Sequence, residues 1–128
     1  MRYHHKLVLG VFAFLTAIGS AWAQQYPDRA IKWIVPYPPA GTTDVIARII
    51  SPPLSEILGQ QVIVENRAGG GNNIGVDAVI KSPPDGYTLT TVIAAHAANP
   101  ALYAKMTFNA ASDLTPVVLT GVAPLILS

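Results

Sequence analysis

The residues that could bind a ligand are concentrated in two short segments. The first, Tyr37–Asp44, follows an apolar run and combines prolines, a glycine, two threonines and an aspartate. Prolines restrict the backbone path, glycine permits close backbone approach, and the start of a following helix offers unpaired N–H groups and a positive dipole end. We therefore expect this corner to face an anion. Its candidate ligand-binding residues are Pro38, Pro39, Ala40, Gly41, Thr42, Thr43 and Asp44.

The second segment, Ala94–Asn99, places small residues around a histidine between a predicted strand and a predicted helix. Small side chains leave room for a ligand to reach the backbone. The candidates here are Ala94, Ala95, His96 and Asn99. Both segments could instead be ordinary strand-to-helix turns, and Asp44 could serve only as an acidic residue in the first turn of a helix.

Signatures of catalysis are scarce. The chain has no cysteine, which excludes disulfides, thiolate catalysis and cysteine metal sites. It contains neither a G-x-S-x-G nor a P-loop motif, and Gly69, Gly71 and Gly75 depart from the dinucleotide-binding spacing. We expect a binding protein without cofactor or metal. The alternative is a fragment of an α/β hydrolytic enzyme that uses His96 as its base.

Residues 1–23 have the pattern of a secretory signal peptide. A start containing Arg2 and Lys6 precedes a short apolar core, and Ala21 and Ala23 form an A-x-A cleavage pattern. We predict cleavage after Ala23; the alternative is an uncleaved anchor. The remaining chain carries a net charge close to −1, without the clustered basic face that nucleic acid requires. The predicted location is the periplasm.

Hydrophobic patterning predicts alternating strands and helices in the order β-α-β-α-β-α-β. Such a chain belongs to the α/β class, with a parallel sheet and right-handed crossovers. In an open α/β sheet, ligands bind beyond the carboxyl ends of the strands, where both candidate segments would lie. The four predicted strands are Ala30–Tyr37, Gln61–Asn66, residues 87–94 and a final apolar strand within residues 112–128.

Capping residues, glycines and prolines predict the helix boundaries. The first is predicted from an N-cap at Thr42 or Thr43 to Gly59, with Pro52 and Pro53 either kinking it or dividing it in two at Ser51. The second is a short helix after the glycine-rich turn, capped by Asn72 or Asn73, and the third begins near Asn99 after a loop.

Three stretches taken together closely resemble one family. They are "YPDRAIKWIVPYPPAGTTDVIAR", "LGQQVIVENRAGGGNNIGVDAVIKSPPDGYTL" and "HAANPALYAKMTFNAASDLTPV". The order and spacing are similar to the N-terminal part of the Bug-type periplasmic receptors of the tripartite tricarboxylate transporter family. The resemblance covers residues 24–128, with "VENRAGGGNNIG" and "PDGYTL" its most characteristic segments.

The resemblance implies the first lobe of a two-lobed periplasmic binding protein, type II-like and truncated. It implies a small carboxylate ligand, such as a di- or tricarboxylate, an acidic amino acid or an aromatic acid. It also implies that the loops after the first and third strands hold the ligand carboxylate, largely through backbone groups and ordered water. The implied partner is a membrane component of the transporter. A single lobe cannot close around a ligand, so we expect the truncated chain by itself to be non-functional.

Both candidate segments depart from the family pattern. Ala40 stands where relatives usually have the first of two adjacent glycines, and Pro39 lacks an N–H donor. Ala94 and Ala95 precede His96 where hydroxyl residues are frequent in the family. The sequence is compatible with three hypotheses: a carboxylate receptor, a His96-dependent enzyme, and a product without a biochemical role.

Overall fold

A computed structural model describes residues 25–122. The predicted signal peptide at 1–23 and its cleavage after Ala23 lie outside the described residues. Within residues 25–122, three strands and three α-helices alternate, with a 3-10 turn before the second helix. The elements are β1 Ile31–Val35, α1 Thr42–Leu58, β2 Val62–Asn66, the 3-10 turn Gly70–Asn72, α2 Asn73–Ile80, β3 Thr88–Thr90 and α3 Ala94–Leu102.

The strands form a parallel sheet in the order β2-β1-β3, which confirms the predicted α/β class. Trp33, in the middle of β1, is in register with Val64 of β2 and Leu89 of β3. The chain steps from β1 to β2 through α1, and then returns across β1 to β3 through α2. The strand order therefore reverses between β1 and β3, and in open α/β sheets such a reversal opens a crevice beyond the carboxyl ends of the strands.

The core lies on and around β1. Ile31, Trp33 and Val35 are at most 5 % exposed, and they pack with Ala47 of α1 and Val62 of β2. A strand with neighbours on both sides and helices packed against it must be apolar along most of its length, which explains its nearly continuous hydrophobic run.

Helix α1 runs without interruption through Pro52 and Pro53, so the alternative of two helices divided at Ser51 is wrong. Pro52 and Pro53 cannot donate to the carbonyls of Arg48 and Ile49, but these residues are exposed and water can reach them. The predicted threonine cap is also wrong, because Gly41 occupies the N-cap position without a side-chain bond. The predicted end at Gly59 is confirmed by its left-handed φ of 66°.

The second and third helices also differ from prediction. Helix α2 begins at Asn73 after Asn72 in the N-cap position, but neither asparagine side chain caps it. Helix α3 begins at Ala94 rather than near Asn99, since the alanine-rich run favours helix. Ala94–Asn99 is therefore the first part of a helix, and the predicted loop is not formed.

Strand structure is shorter than predicted in the later part of the chain. β3 spans only Thr88–Thr90, because its pairing with β1 covers Lys32 to Ile34. The predicted fourth strand is not formed over residues 112–122, which have no ladder partner; residues 123–128 lie outside the described range. Between residues 25 and 122, no helix has both the length and the apolar character to cross a membrane.

Candidate functional site

Asp44 holds the first candidate segment in place. Its Oδ2 accepts the backbone N–H of Ala40 at 2.8 Å, and its Oδ1 accepts from the Asn66 amide at 2.9 Å. Both oxygens also accept from the Arg48 Nε, at 3.0 and 3.1 Å. The carboxylate is only 3 % exposed and its acceptor sites are occupied, so its role in this geometry is to position the segment.

The same contacts keep Asp44 charged. Hydrogen bonds from Arg48, from the Ala40 amide and from Asn66 lower the pKa of Asp44 from 3.8 to about 2. Each of these donors stabilises the ionised carboxylate more than the neutral acid. The negative charge is matched locally by Arg48, and Asn66 links both residues to the carboxyl end of β2.

The start of α1 offers backbone donors. The N–H groups of Thr42, Thr43 and Asp44 have no acceptor within residues 25–122, as is usual for the first turn of a helix. Thr42 is exposed, whereas Thr43 and Asp44 are buried. The Ala40 amide, in contrast, is already bound by Asp44. The accessible donor of the first segment is therefore at the helix start rather than in the proline-rich corner.

The start of α3 offers a second set of donors. Ala94 and Ala95 are exposed, and their N–H groups have no acceptor in the described part of the chain. The next amide, that of His96, donates to the Ile93 carbonyl at 2.8 Å. Because β1 and β3 are adjacent and parallel, the starts of α1 and α3 follow neighbouring strand ends.

Tyr37 joins the two segments. Its hydroxyl oxygen accepts from the Ile93 amide at 3.3 Å and from the Asn72 side-chain amide at 2.8 Å. Its carbonyl accepts from Asn66 at 3.2 Å. Tyr37 is not among the predicted ligand-binding residues, although its place at the end of the predicted first strand was a signal of a role at the site.

Asn99 attaches the glycine-rich turn to α3. Its Nδ2 lies 2.7 Å from the Gly71 carbonyl and within 2.9 Å of the side-chain oxygens of Asn72 and Asn73. Asn72 and Asn99 are both 2 % exposed. The sequence predicts Asn99 near the ligand. It does not indicate the hydrogen-bond partners of Asn99, because they lie more than twenty residues earlier in the chain.

His96 packs against residues that follow α3. It is 7 % exposed, its ring stacks on Phe108 with centroids 6.0 Å apart, and its Nε2 lies 3.0 Å from the Ala110 carbonyl. Its Nδ1 has no partner among the described residues. This geometry ties the residues after α3 to the start of that helix.

A cleft of about 430 Å³ lies at the carboxyl edge of the sheet. Its walls come from the end of β1, the glycine-rich turn and one face of α3. It brings together Pro38, Ala95 and Asn99 of the predicted set. The other predicted residues are not in its walls: Pro39, Ala40, Gly41, Thr42, Thr43, Asp44, Ala94 and His96. The full lining is Pro36, Tyr37, Pro38, Ala68, Gly69, Gly71, Asn72, Ala95, Asn99, Leu102 and Tyr103. This lining contains no charged side chain, so an anion bound here would be recognised by backbone and neutral groups.

Comparison with known proteins identifies the group to which this architecture belongs. Residues 46–128 match the model of the "Tripartite tricarboxylate transporter family receptor". The chain belongs to the tripartite tricarboxylate transporter receptor family. Among its relatives are BugT of Bordetella pertussis, 43 % identical over 94 % of this chain, and a protein from the tcbD-tcbE intergenic region of Pseudomonas sp. strain P51, 42 % identical over 95 %. The chain spans only 38 % and 37 % of the length of these two relatives.

Solved structures of receptors in this family support the fold. MatC from Rhodopseudomonas palustris with bound malate is 34 % identical, with a TM-score of 0.67 over 72 % of this chain and 32 % of its own. R. palustris Rpa4515 with adipate is 39 % identical, with a TM-score of 0.64 over 67 % of this chain and 29 % of its own. The family and these neighbours are solute-binding receptors rather than enzymes, which confirms that prediction.

Proposed function

We propose that the protein is a periplasmic solute receptor that binds a small carboxylate and delivers it to the membrane component of a tripartite tricarboxylate transporter. In this proposal residues 1–23 are a cleaved signal peptide, and residues 24–128 form part of an N-terminal lobe. The ligand is a dicarboxylate, a tricarboxylate, an acidic amino acid or an aromatic acid.

The observation that carries the proposal is the pair of helix starts at neighbouring strand ends. Thr42 at the start of α1, and Ala94 and Ala95 at the start of α3, have exposed positions, and their N–H groups have no acceptor among residues 25–122. Helix N-termini favour anions through these donors and through the helix dipole. The family relatives solved with malate and adipate support a carboxylate as that anion.

The other residues of the two segments have supporting roles in this proposal. Pro38 and Pro39 fix the path of the chain, and Asp44 binds the Ala40 amide, so that the start of α1 is held in one position. The packing of the His96 ring on Phe108 stabilises the start of α3. Recognition through backbone donors selects for a carboxylate without placing a charged side chain in the cleft.

Isothermal titration of the full-length protein tests the proposal. Malate and adipate would be compared with malamide and adipamide, which have the same carbon skeletons but no negative charge. We expect binding of at least one acid and none of its amide. Equal binding of the amides, or binding only of cations or neutral sugars, would contradict the proposed function.

A further inference from the structure

Of the proposed carboxylate donors, Ala95 lines the cleft, and the cleft continues from Ala95 along one face of α3. Four residues at or just after α3 line the cleft, at positions i, i+4, i+7 and i+8. They are Ala95, Asn99, Leu102 and Tyr103. With a rise of about 1.5 Å per residue, Ala95 and Leu102 are roughly 10 Å apart along the helix axis. A carboxylate bound at the start of α3 would therefore place the rest of its molecule along this face.

The wall beyond Ala95 is mainly apolar. Leu102 and Tyr103 are 73 % and 39 % exposed, and Tyr37 and Ala68 contribute to the same cleft from the other side. Large apolar side chains that remain this exposed beside a concave surface offer area that a ligand can cover. The positions just before His96 are alanines, so no side-chain hydroxyl enters from the first turn of α3.

The side-chain amides of the wall are already engaged, whereas the hydroxyl groups of Tyr37 and Tyr103 have no acceptor among residues 25–122. The amide nitrogen of Asn72 donates to the Tyr37 hydroxyl, and that of Asn99 donates within the asparagine cluster. Both asparagines are 2 % exposed. When several ligand hydroxyls lie against this wall, at most two of them can accept from the tyrosine hydroxyls, and burial of the others without a partner is unfavourable.

We infer that the ligand is a carboxylate whose body is hydrocarbon, an alkyl chain or an aromatic ring, where it lies against Leu102 and Tyr103. This inference rests on the proposed function and narrows its ligand class. It excludes acids with several hydroxyl groups as the preferred ligands, and it makes Leu102 a residue that determines specificity rather than one that holds the carboxylate.

Titration of the full-length protein with a matched pair of acids tests this inference. Adipate and galactarate have the same six-carbon chain and two carboxylates, but galactarate carries four hydroxyl groups. We expect adipate to bind at least about tenfold more tightly, the effect of a single buried hydroxyl without a partner. 3-Phenylpropionate, with an aromatic body, is expected to bind as well.

Leu102→Asn and Ile57→Asn provide the matched variants. Both residues are exposed, at 73 % and 81 %, and both lie in the last turn of a helix, but only Leu102 lines the cleft. Leu102→Asn should weaken adipate and 3-phenylpropionate and reduce the preference over galactarate, while Ile57→Asn should leave both unchanged.

The outcomes separate this inference from the proposed function. If galactarate bound as tightly as adipate or more tightly, the inference that the ligand body lies against an apolar wall would be wrong, although carboxylate binding would stand. The same holds if Leu102→Asn left the preference for adipate over galactarate unchanged. Absence of binding by every one of these acids would overturn both.

Discussion

The Asp44 carboxylate binds the backbone N–H of Ala40 at 2.8 Å, and Ala40 adopts a left-handed φ of 65°. A side chain in the first turn of α1 thus determines the conformation of the loop that precedes it. This bond occupies the amide of Ala40, which is one of the residues predicted from the sequence to bind an anion. The donors that remain accessible are those at the start of the helix itself.

The first prediction concerns pH. Because the pKa of Asp44 in the folded protein is lowered from 3.8 to about 2, the carboxylate contributes stability above roughly pH 4. That contribution is lost as the pH falls from about 4 towards 2. Asp44→Asn should lower the melting temperature at pH 7, and the difference from wild type should shrink over this window.

Thermal unfolding measured at intervals between pH 7 and pH 2 checks this prediction. Glu56→Gln, which changes an exposed carboxyl group on the same helix, is the matched control. A constant difference between wild type and Asp44→Asn across the whole range would show that ionised Asp44 does not stabilise the loop.

The second prediction concerns the left-handed residue. A non-glycine residue with this backbone conformation costs about 1–2 kcal/mol, so Ala40→Gly should stabilise the protein by about 1 kcal/mol. Ala98→Gly, at an exposed position inside α3, should destabilise by about 1 kcal/mol. Urea unfolding followed by tryptophan fluorescence measures both, and a loss of stability in Ala40→Gly would refute the assigned strain.

The third prediction concerns close packing at the start of α2. A Cβ at Gly75 would lie 2.6 Å from the Arg67 carbonyl oxygen and 2.6 Å from the Pro36 Cβ. Backbone and a proline ring cannot move aside easily, so Gly75→Ala should cost about 1–3 kcal/mol. Gly121→Ala is the control, because a Cβ there meets nothing within 4 Å. Equal unfolding free energies in the two variants would count against this packing.

The fourth prediction concerns the asparagine cluster. The Asn99 amide nitrogen faces three oxygens, those of Gly71, Asn72 and Asn73. Asn99→Asp replaces this donor with an acceptor and leaves buried groups unsatisfied, at a cost of about 1–3 kcal/mol or more. Asn109→Asp should have a small effect, because the Asn109 side chain accepts from the Ala111 amide.

Urea unfolding at pH 7 compares the two asparagine variants. Faster hydrogen exchange at residues 70–73 in Asn99→Asp would follow from release of the glycine-rich turn. If Asn99→Asp were as stable as Asn109→Asp, the cluster would not hold the turn to α3.

The fifth prediction tests the backbone donors directly. Thr42 is the first residue of α1, and Gly41 before it has φ −74° and ψ 166°, a conformation compatible with a following proline. Thr42→Pro should therefore keep the fold but remove the exposed N–H, and weaken carboxylate binding about tenfold, as expected for a lost charge-assisted bond. Thr42→Ala retains the N–H and should bind nearly as wild type.

Titration with adipate and a melting curve for each variant separate loss of binding from loss of fold. Ala94→Pro is the equivalent change at α3, where Ile93 is extended with φ −119° and ψ −177°. Undiminished binding in both proline variants would show that the two helix starts do not hold the carboxylate.

Local sequence signals determined the elements around the site. The apolar run predicted β1, the helical spacing predicted α1, and the glycine at position 59 predicted the end of α1, because each signal depends on neighbouring residues. The two segments that follow β1 and β3 were also identified, since strand-to-helix turns in a parallel sheet lie at one edge.

Only the tertiary structure decided what the individual side chains do. The i,i+4 spacing on α1 indicates Arg48 as a partner of Asp44, but no spacing rule specifies Asn66 as a second partner or the packing of His96 on Phe108. The length of β3 and the unpaired state of residues 112–122 likewise depend on which strands are adjacent. Pairing and packing join residues far apart in the chain, so local patterns can place a site at an edge of the sheet but cannot assign its donors.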